Sequence, residues 1–536
     1  MSSTLPVNYN IITPMYPVDR DKHGFSDTKI QRTARPGHAT ETRGSYMTIK
    51  ASFWRLPVIQ GLIMAVAIMT GQALIASPAW AATYYVATNG SNTSAGSSAA
   101  PFQTIQKGLS VLSAGDTLVI RNGTYSGSSN SLANLPSGSA GNYITIMAEN
   151  EGSVIITGGL GMSNSNQYLI FQGLRLQDTG QKSILGNHIK WFRTEFKGGP
   201  SGGNTMAVVV GTNDVGTTAD ILLEDVWVHG FGGRYKILVY NSTRVVIRRA
   251  VTRYDGTVTA IGEPQANITV YDSDSVEVQN SIAIDGITGA GAEEFVAAFY
   301  NICNGTGSVP VRNYTHRGNI AINPTRFTMG SEGQCTITNQ VITDIAGAGG
   351  TYGISQLKGS GTQYTRITLI GSKGDGFGIF GGSAKVQDSI VANQSGQAYN
   401  GVTPLTSVAY NNSGGNSGGI VLNPFTSGLL YLPRIEAASV LAAGGTAGQR
   451  GAQIVKRIGT PGTLYGESGY STTTATDLWP WPNEARIKKE MCTDAGVTRG
   501  FCSSASLTAY VFGYLGNPNP YGSVISLSPP GNLRVQ

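Results

Sequence analysis

Residues 244–256 read RVVIRRAVTRYDG. Val245 and Ile247 alternate with Arg244, Val246 and Arg248, and a period of two sends successive side chains to opposite faces of a strand. The alternation points Val245 and Ile247 inward and the other three outward. Arg249 falls at a turn, and Arg253 begins the next short strand. The same text recurs on both sides: YLIFQGLRLQD at 168–178, HIKWFRTEFKG at 188–198, DILLEDVWVHG at 220–230, SVEVQNSIAIDG at 275–286, NYTHRGNIAIN at 313–323, CTITNQVITD at 335–344 and AKVQDSIVAN at 384–393. A degenerate copy, TRITLIGSKGDG, stands at 365–376. With Gly173, Arg193, Asp225, Arg249, Asn280, Gly318, Asn339 and Asp388 as turn residues, the gaps are 20, 32, 24, 31, 38, 21 and 49 residues. A coil of roughly 20–25 residues carrying occasional inserted loops produces this spectrum. One coil cannot bury its inward side chains alone, so the coils must stack.

Composition agrees. The chain of 536 residues contains 72 glycines, and only 13% of its residues are charged. That is a balance for short strands and tight turns rather than for a helical protein. The formal charge of +6 is concentrated at the start. Residues 1–81 hold eight lysines and arginines against four aspartates and glutamates, leaving 29 against 27 in the rest. No basic footprint for nucleic acid remains.

The N-terminal text reads as a targeting segment. From Met47, Lys50 and Arg55 precede an apolar run to about Ala76, and Ala79-Trp80-Ala81 has the small-x-small form of a signal-peptidase site. A retained membrane anchor is the other reading of that run. Residues 47–81 are therefore expected to be a cleaved signal peptide, with no membrane attachment afterwards. Residues 1–46 are expected to be a disordered leader or a mis-assigned start. The exported chain would be secreted, periplasmic or held at the cell surface. In an oxidising compartment four cysteines form two disulfides, and nearest-neighbour pairing gives Cys303–Cys335 and Cys492–Cys502.

Ile105, Leu109 and Leu112 are spaced as one face of a short helix, followed by the Gly115-Asp116 turn and a strand at Thr117–Ile120. The segments YYVATNG (84–90), PFQTIQKGL (101–109) and AGDTLVIRNGTY (114–125) resemble the N-terminal entry of secreted right-handed parallel β-helix proteins, the pectate-lyase-like and chondroitinase-B-like superfamily. The resemblance implies an all-β, right-handed parallel β-helix over residues 82–430, with a cap helix at its N-terminal end. Residues 431–525, rich in small residues and then in aromatics, read as a C-terminal cap and appendage shielding the far end. Residues 526–536 read as a linker or the start of a truncated module.

The same resemblance implies action on acidic, uronate-containing polysaccharide by β-elimination or epimerisation, with Lys or Arg neutralising the carboxylate and Ca²⁺ plausible as a partner. On this sequence the catalytic candidates are Lys236, Arg248, Arg249, Arg253 and His229. Tyr235, Tyr254 and His316 are candidates for substrate binding. Asp255 and Asp285, with Glu293 and Glu294 in the long insertion before Gly318, form an oxygen-donor set suited to Ca²⁺. Other readings stand beside these. Arg244 and Arg248 would also serve as a solvated strand face paired with Glu224, Asp225 and Glu277 of neighbouring coils. Asp255, Asp285, Asn323, Asp344 and Asn393 would also form a ladder that satisfies turn amides. For the whole protein, the alternatives are a non-catalytic glycan-binding or adhesive solenoid and a glycoside hydrolase using paired carboxylates.

Overall fold

The computed structural model describes residues 81–522 except 201–203, 214–215, 256–264, 287–295, 305–311, 334–336, 338, 447 and 494–497. These belong to one compact unit, Pro78–Gln536. Nearly all of the expected leader and signal peptide, the expected C-terminal linker, Glu293, Glu294 and Cys335 lie outside the described residues.

Three parallel sheets build a right-handed β-helix, two from its first coils and the third from the coil of Lys182. Among the described residues sheet 1 has 12 strands, from Thr83–Val86 to Ala384–Gln387, and sheet 2 has 13, from Gly123–Tyr125 to Ile420–Val421. Sheet 3 has 9, from Lys182–Ile184 to Tyr399–Asn400. From the coil of Gly173 onward, each coil passes from sheet 1 to sheet 2 through a single residue in the left-handed region. These corners are Gly173, Arg193, Asp225, Arg249, Asn280, Gly318, Asp344, Arg366, Asp388 and Thr406, with φ between 44° and 73°. Seven of the eight turn residues read from the sequence are among them. The eighth, Asn339, also has positive φ but stands at the entry to its sheet 1 strand, Gln340–Thr343; the corner of that coil is Asp344. That slip also put Asp344 into the wrong ladder: it belongs with the sheet 1 corners, whereas Asp285, Asn323 and Asn393 follow sheet 2 strands.

The helix interior is filled as the alternation requires. Val245 and Ile247 are fully buried in the main core, and the rings of Phe171 and Trp191, one coil apart, stack at 3.9 Å. At the corners, small polar side chains take up the amides that a sharp turn leaves over. The Oγ of Ser281 accepts from the Ala250 amide, and Asn319 Oδ1 accepts from the Ser281 amide at 2.7 Å. At the N-terminal end helix α1 (Ile105–Leu109) buries Ile105 and Leu109, capped by Thr104, whose hydroxyl accepts from the Lys107 amide.

The C-terminal segment departs from expectation. It does not close the far end, where Val421 of the last strand stays 72% exposed. It turns back and lies along the flank as a strap. Successive contacts run against chain order: Gly451 to Asp388, Gln453 to Asp344, Ile458 to Asn280, Thr460 to Arg248, and Arg486 to the main chain of Arg193. The strap docks on the corner residues. It begins after the one-turn helix α2 (Pro424–Ser427), and its helices α3 (Glu484–Met491) and α4 (Leu507–Phe512) cover the outer face of sheet 2. The physical reason is visible in the register. Trp227, Val251, Ile282, Ile320 and Ala346 form one outward column. A parallel sheet apolar on both faces must be buried on both.

Candidate functional site

The strap decides the fate of the arginines. Arg248 points away from the core, as its position predicts, yet it is fully buried. Its guanidinium bonds Glu224 Oε2 at 3.0 Å, Gln279 Oε1 at 2.7 Å and the strap carbonyls of Thr460 and Tyr470 at 2.8 and 2.9 Å. Burial lowers its pKa, opposed by Glu224. Arg249 pairs with Asp225 at 2.6 Å and with Glu224. Burial acts against its charge, but those two carboxylates outweigh it and raise the pKa. Arg253 lies 3.2 Å from Asp255, 3.3 Å from Asp285 and 3.0 Å from Cys502 Sγ. His229 is buried with Nε2 2.8 Å from Glu195, which also binds Arg175. Burial pushes the Glu195 carboxyl up, but these two partners hold it down to about 2. Arg248 and Arg253 fasten the strap to the flank, Arg249 and His229 pair with carboxylates of the coils, and all four are buried, out of reach of a polymer.

Lys236, Tyr254 and His316 are interior. Lys236 Nζ donates to Gly233 O at 2.8 Å and sits 3.2 Å from the Tyr254 ring centroid; burial drives its pKa well below the usual lysine range. The Tyr254 hydroxyl bonds Gln265 Oε1 at 2.7 Å. His316 Nε2 lies 3.0 Å from Asn301 Oδ1 in the helix interior, and burial lowers its pKa to about 3. Of the four acids proposed for Ca²⁺, Glu293 and Glu294 lie outside the described residues, and Asp255 and Asp285 are engaged by other groups. Asp285 accepts from Tyr510 at 2.5 Å and from the Phe501 amide at 2.9 Å, and Asp255 accepts from the Gly230 amide at 2.9 Å. Both also face Arg253. No group of three metal-ligating side chains occurs among the described residues. Cys492 and Cys502 form a disulfide that closes the strap loop after α3, and Cys303 is disulfide-bonded as well.

The outer face of sheet 3, which the sequence reading did not single out apart from Tyr235, packs Tyr235, Tyr300 and Phe327 in a buried apolar cluster and leaves Arg234, Tyr271, Arg326, Glu332 and Tyr352 half-buried. Tyr235 opens the strand Tyr235–Tyr240, and the Arg234 guanidinium lies 4.8 Å from its ring centroid. Three coils on, at the same register position, Arg326 precedes Phe327–Gly333. Its guanidinium rests 5.4 Å from the Phe327 ring and 5.7 Å from Tyr352, and it pairs with no acid among the described residues. Between the two arginines stand Tyr271 and Tyr300. The Tyr300 ring lies against Gly330 of the next coil, where a Cβ would come within 2.2 Å of it. The Tyr300 hydroxyl donates to Glu332; burial and then that carboxylate push its pKa well above the usual phenol range, with Arg234 opposing. Tyr300 therefore stays protonated, and half-buried Glu332 accepts its hydrogen bond. Extending the register, Asp375 aligns with Tyr352, and Glu332 aligns with Leu357, five residues further along. About 16 Å thus separates these two acids along the strand direction alone, beyond the range of roughly 5–10 Å that paired-carboxylate hydrolysis uses. The clue in the sequence was an arginine directly before an aromatic at a strand entry, GRYKI and TRFTM, repeated three coils apart.

Residues 84–199 match the model of the Pel9A-like right-handed β-helix region. No curated protein matches the chain in sequence. Solved structures with similar architecture include XylC in complex with xylose (12% identity, 56% of this chain and 70% of that chain, TM-score 0.38). They also include pectate lyase Pel9A (14%, 68% and 92%, 0.37) and an alginate lyase from Paenibacillus sp. str. FPU-7 (18%, 52% and 99%, 0.32). At these identities the likeness is one of fold. The chain is a right-handed parallel β-helix of the architecture that the Pel9A-like model describes.

Proposed function

We propose that this protein acts on a uronate-containing polysaccharide laid across the outer face of sheet 3, by lyase-type β-elimination. The observation that supports this most is Arg326, a guanidinium stacked on two rings and without an acidic partner among the described residues. Such a group binds a carboxylate through a planar fork and offers an aromatic wall to the sugar beside it. Arg234, whose charge is felt at Tyr300 and Tyr271, faces the carboxylate of the reacting sugar. Neutralising that carboxylate acidifies the adjacent C5 proton. Glu332 removes it, held in place by the Tyr300 hydroxyl. The C5–H electrons form a C4=C5 double bond as the C4–O bond breaks, and water protonates the departing oxygen. Return of the proton to the opposite face of C5 instead gives the epimer.

The test follows ultraviolet absorbance of purified protein with polygalacturonate, alginate and chondroitin sulfate, with and without Ca²⁺. A rise with one polymer that Arg326→Gln and Glu332→Gln both suppress supports the reading. A flat trace with all three, and no change in uronate stereochemistry by NMR, sinks it.

A further inference from the structure

Among the described residues Phe380 is the one aromatic in the set of exposed large hydrophobic residues, at 58% exposure. It follows the strand Phe377–Ile379, and its amide donates to Gln356 O at 2.9 Å. Ser331, Gln356 and Ile379 are register partners, so Glu332, Leu357 and Phe380 occupy one position in three successive coils. Phe380 therefore stands about 10 Å from Glu332 along the helix axis, two coil spacings away. Its ring lies against Gly378, where a Cβ would sit 2.5 Å from the ring atoms. Gly378 has no positive φ that would require glycine; it gives the ring room to lie down on the sheet. One ring face is thus backed by glycine, and among the described residues no ring or cation stacks on the other. Exposed Lys358 and half-buried Asn400, whose amide donates to Asp375 at 2.9 Å, supply polar groups nearby.

We propose that Phe380 is a sugar-stacking subsite, two coils beyond Glu332, for a pyranose of the same polysaccharide. The inference rests on the function proposed above and adds a binding residue to it. An aromatic face is electron-rich, and the axial C–H face of a pyranose is apolar and electropositive, so the two are complementary. Placement on the outer face of sheet 3, in the column of Glu332, makes the stack an extension of that site toward the C-terminal end.

The test is affinity electrophoresis in gels containing polygalacturonate, alginate or chondroitin sulfate, comparing wild type, Phe380→Ala, Phe380→Trp and Arg326→Gln. The expected result is retardation of wild type by one polymer, weakened roughly tenfold in apparent Kd by Phe380→Ala and kept by Phe380→Trp. In turnover, KM should rise with kcat unchanged. Equal thermal unfolding of wild type and Phe380→Ala serves as the folding control. Undiminished retardation of Phe380→Ala beside weakened Arg326→Gln overturns the subsite and leaves the proposed function standing. No retardation of wild type and no unsaturated product overturns both.

Discussion

Arg248 Nη1 lies 2.8 Å from the main-chain oxygen of Thr460, 212 residues later in the chain. A strand-face arginine has become the anchor of a segment that returns from the other end of the molecule. Its carboxylate partner Glu224 also accepts from the Gly462 amide at 2.9 Å, so both members of the ion pair are shared with the strap. Removing one partner of a buried pair strands the other. Arg248→Ala is expected to destabilise the protein by about 3–5 kcal/mol and to open the strap to protease. A urea midpoint unchanged from wild type would refute this.

His316 fixes a pH dependence. Its pKa is lowered by burial to about 3, against an ordinary value of 6.5. The unfolded chain therefore takes a proton as pH falls through 6.5, while the folded chain does not until about 3. Stability is full above 6.5 and declines by about 1.4 kcal/mol per unit below it. His316→Gln should flatten that slope, measured as unfolding free energy between pH 7 and 5. An identical slope in the variant would count against the assignment.

The Cys492–Cys502 disulfide has a sequence separation of 10 and closes the loop that presents Phe501 and Arg499 to Asp285. Replacing both cysteines with serine is expected to cost about 3 kcal/mol by the loop-entropy relation. Thermal unfolding of the double variant measures it, and an unshifted midpoint would show that the loop is held by its contacts alone.

Gly330 has no positive φ, so glycine is needed there only for space. Gly330→Ala should push the Tyr300 ring off its seat, part its hydroxyl from Glu332, and lower kcat roughly tenfold or more, about 1.4 kcal/mol in barrier. Activity equal to wild type would separate Tyr300 from the reaction.

The period of two and the corner residues made the coils legible, because one left-handed residue between two short strands leaves a local mark. The direction of Arg248 was legible for the same reason. Its burial was not, since alternation says which way a side chain points and nothing about what another segment lays over it. The clue was on sheet 2, where Trp227, Val251 and Ile282 are outward and apolar. Sheet 3 was harder to read. Strands such as YKILVY and VAAFYNIC carry apolar residues or tyrosine on both faces, and their alternation is too faint to separate inside from outside. The two arginines there, Arg234 and Arg326, lie just before the strands and so outside the repeating text, and Glu332 stands near the end of its strand.

In a plain solenoid each turn touches only its neighbours, and unfolding can fray inward from an end. The strap joins the turn of Asp388 to the turn of Arg193 through contacts at Asp344, Asn280 and Arg248. Loss of any intermediate turn then breaks bonds to a segment that all the others share. Nearest-neighbour coupling gives way to coupling across these turns, so those from Arg193 to Asp388 are expected to unfold as one cooperative body.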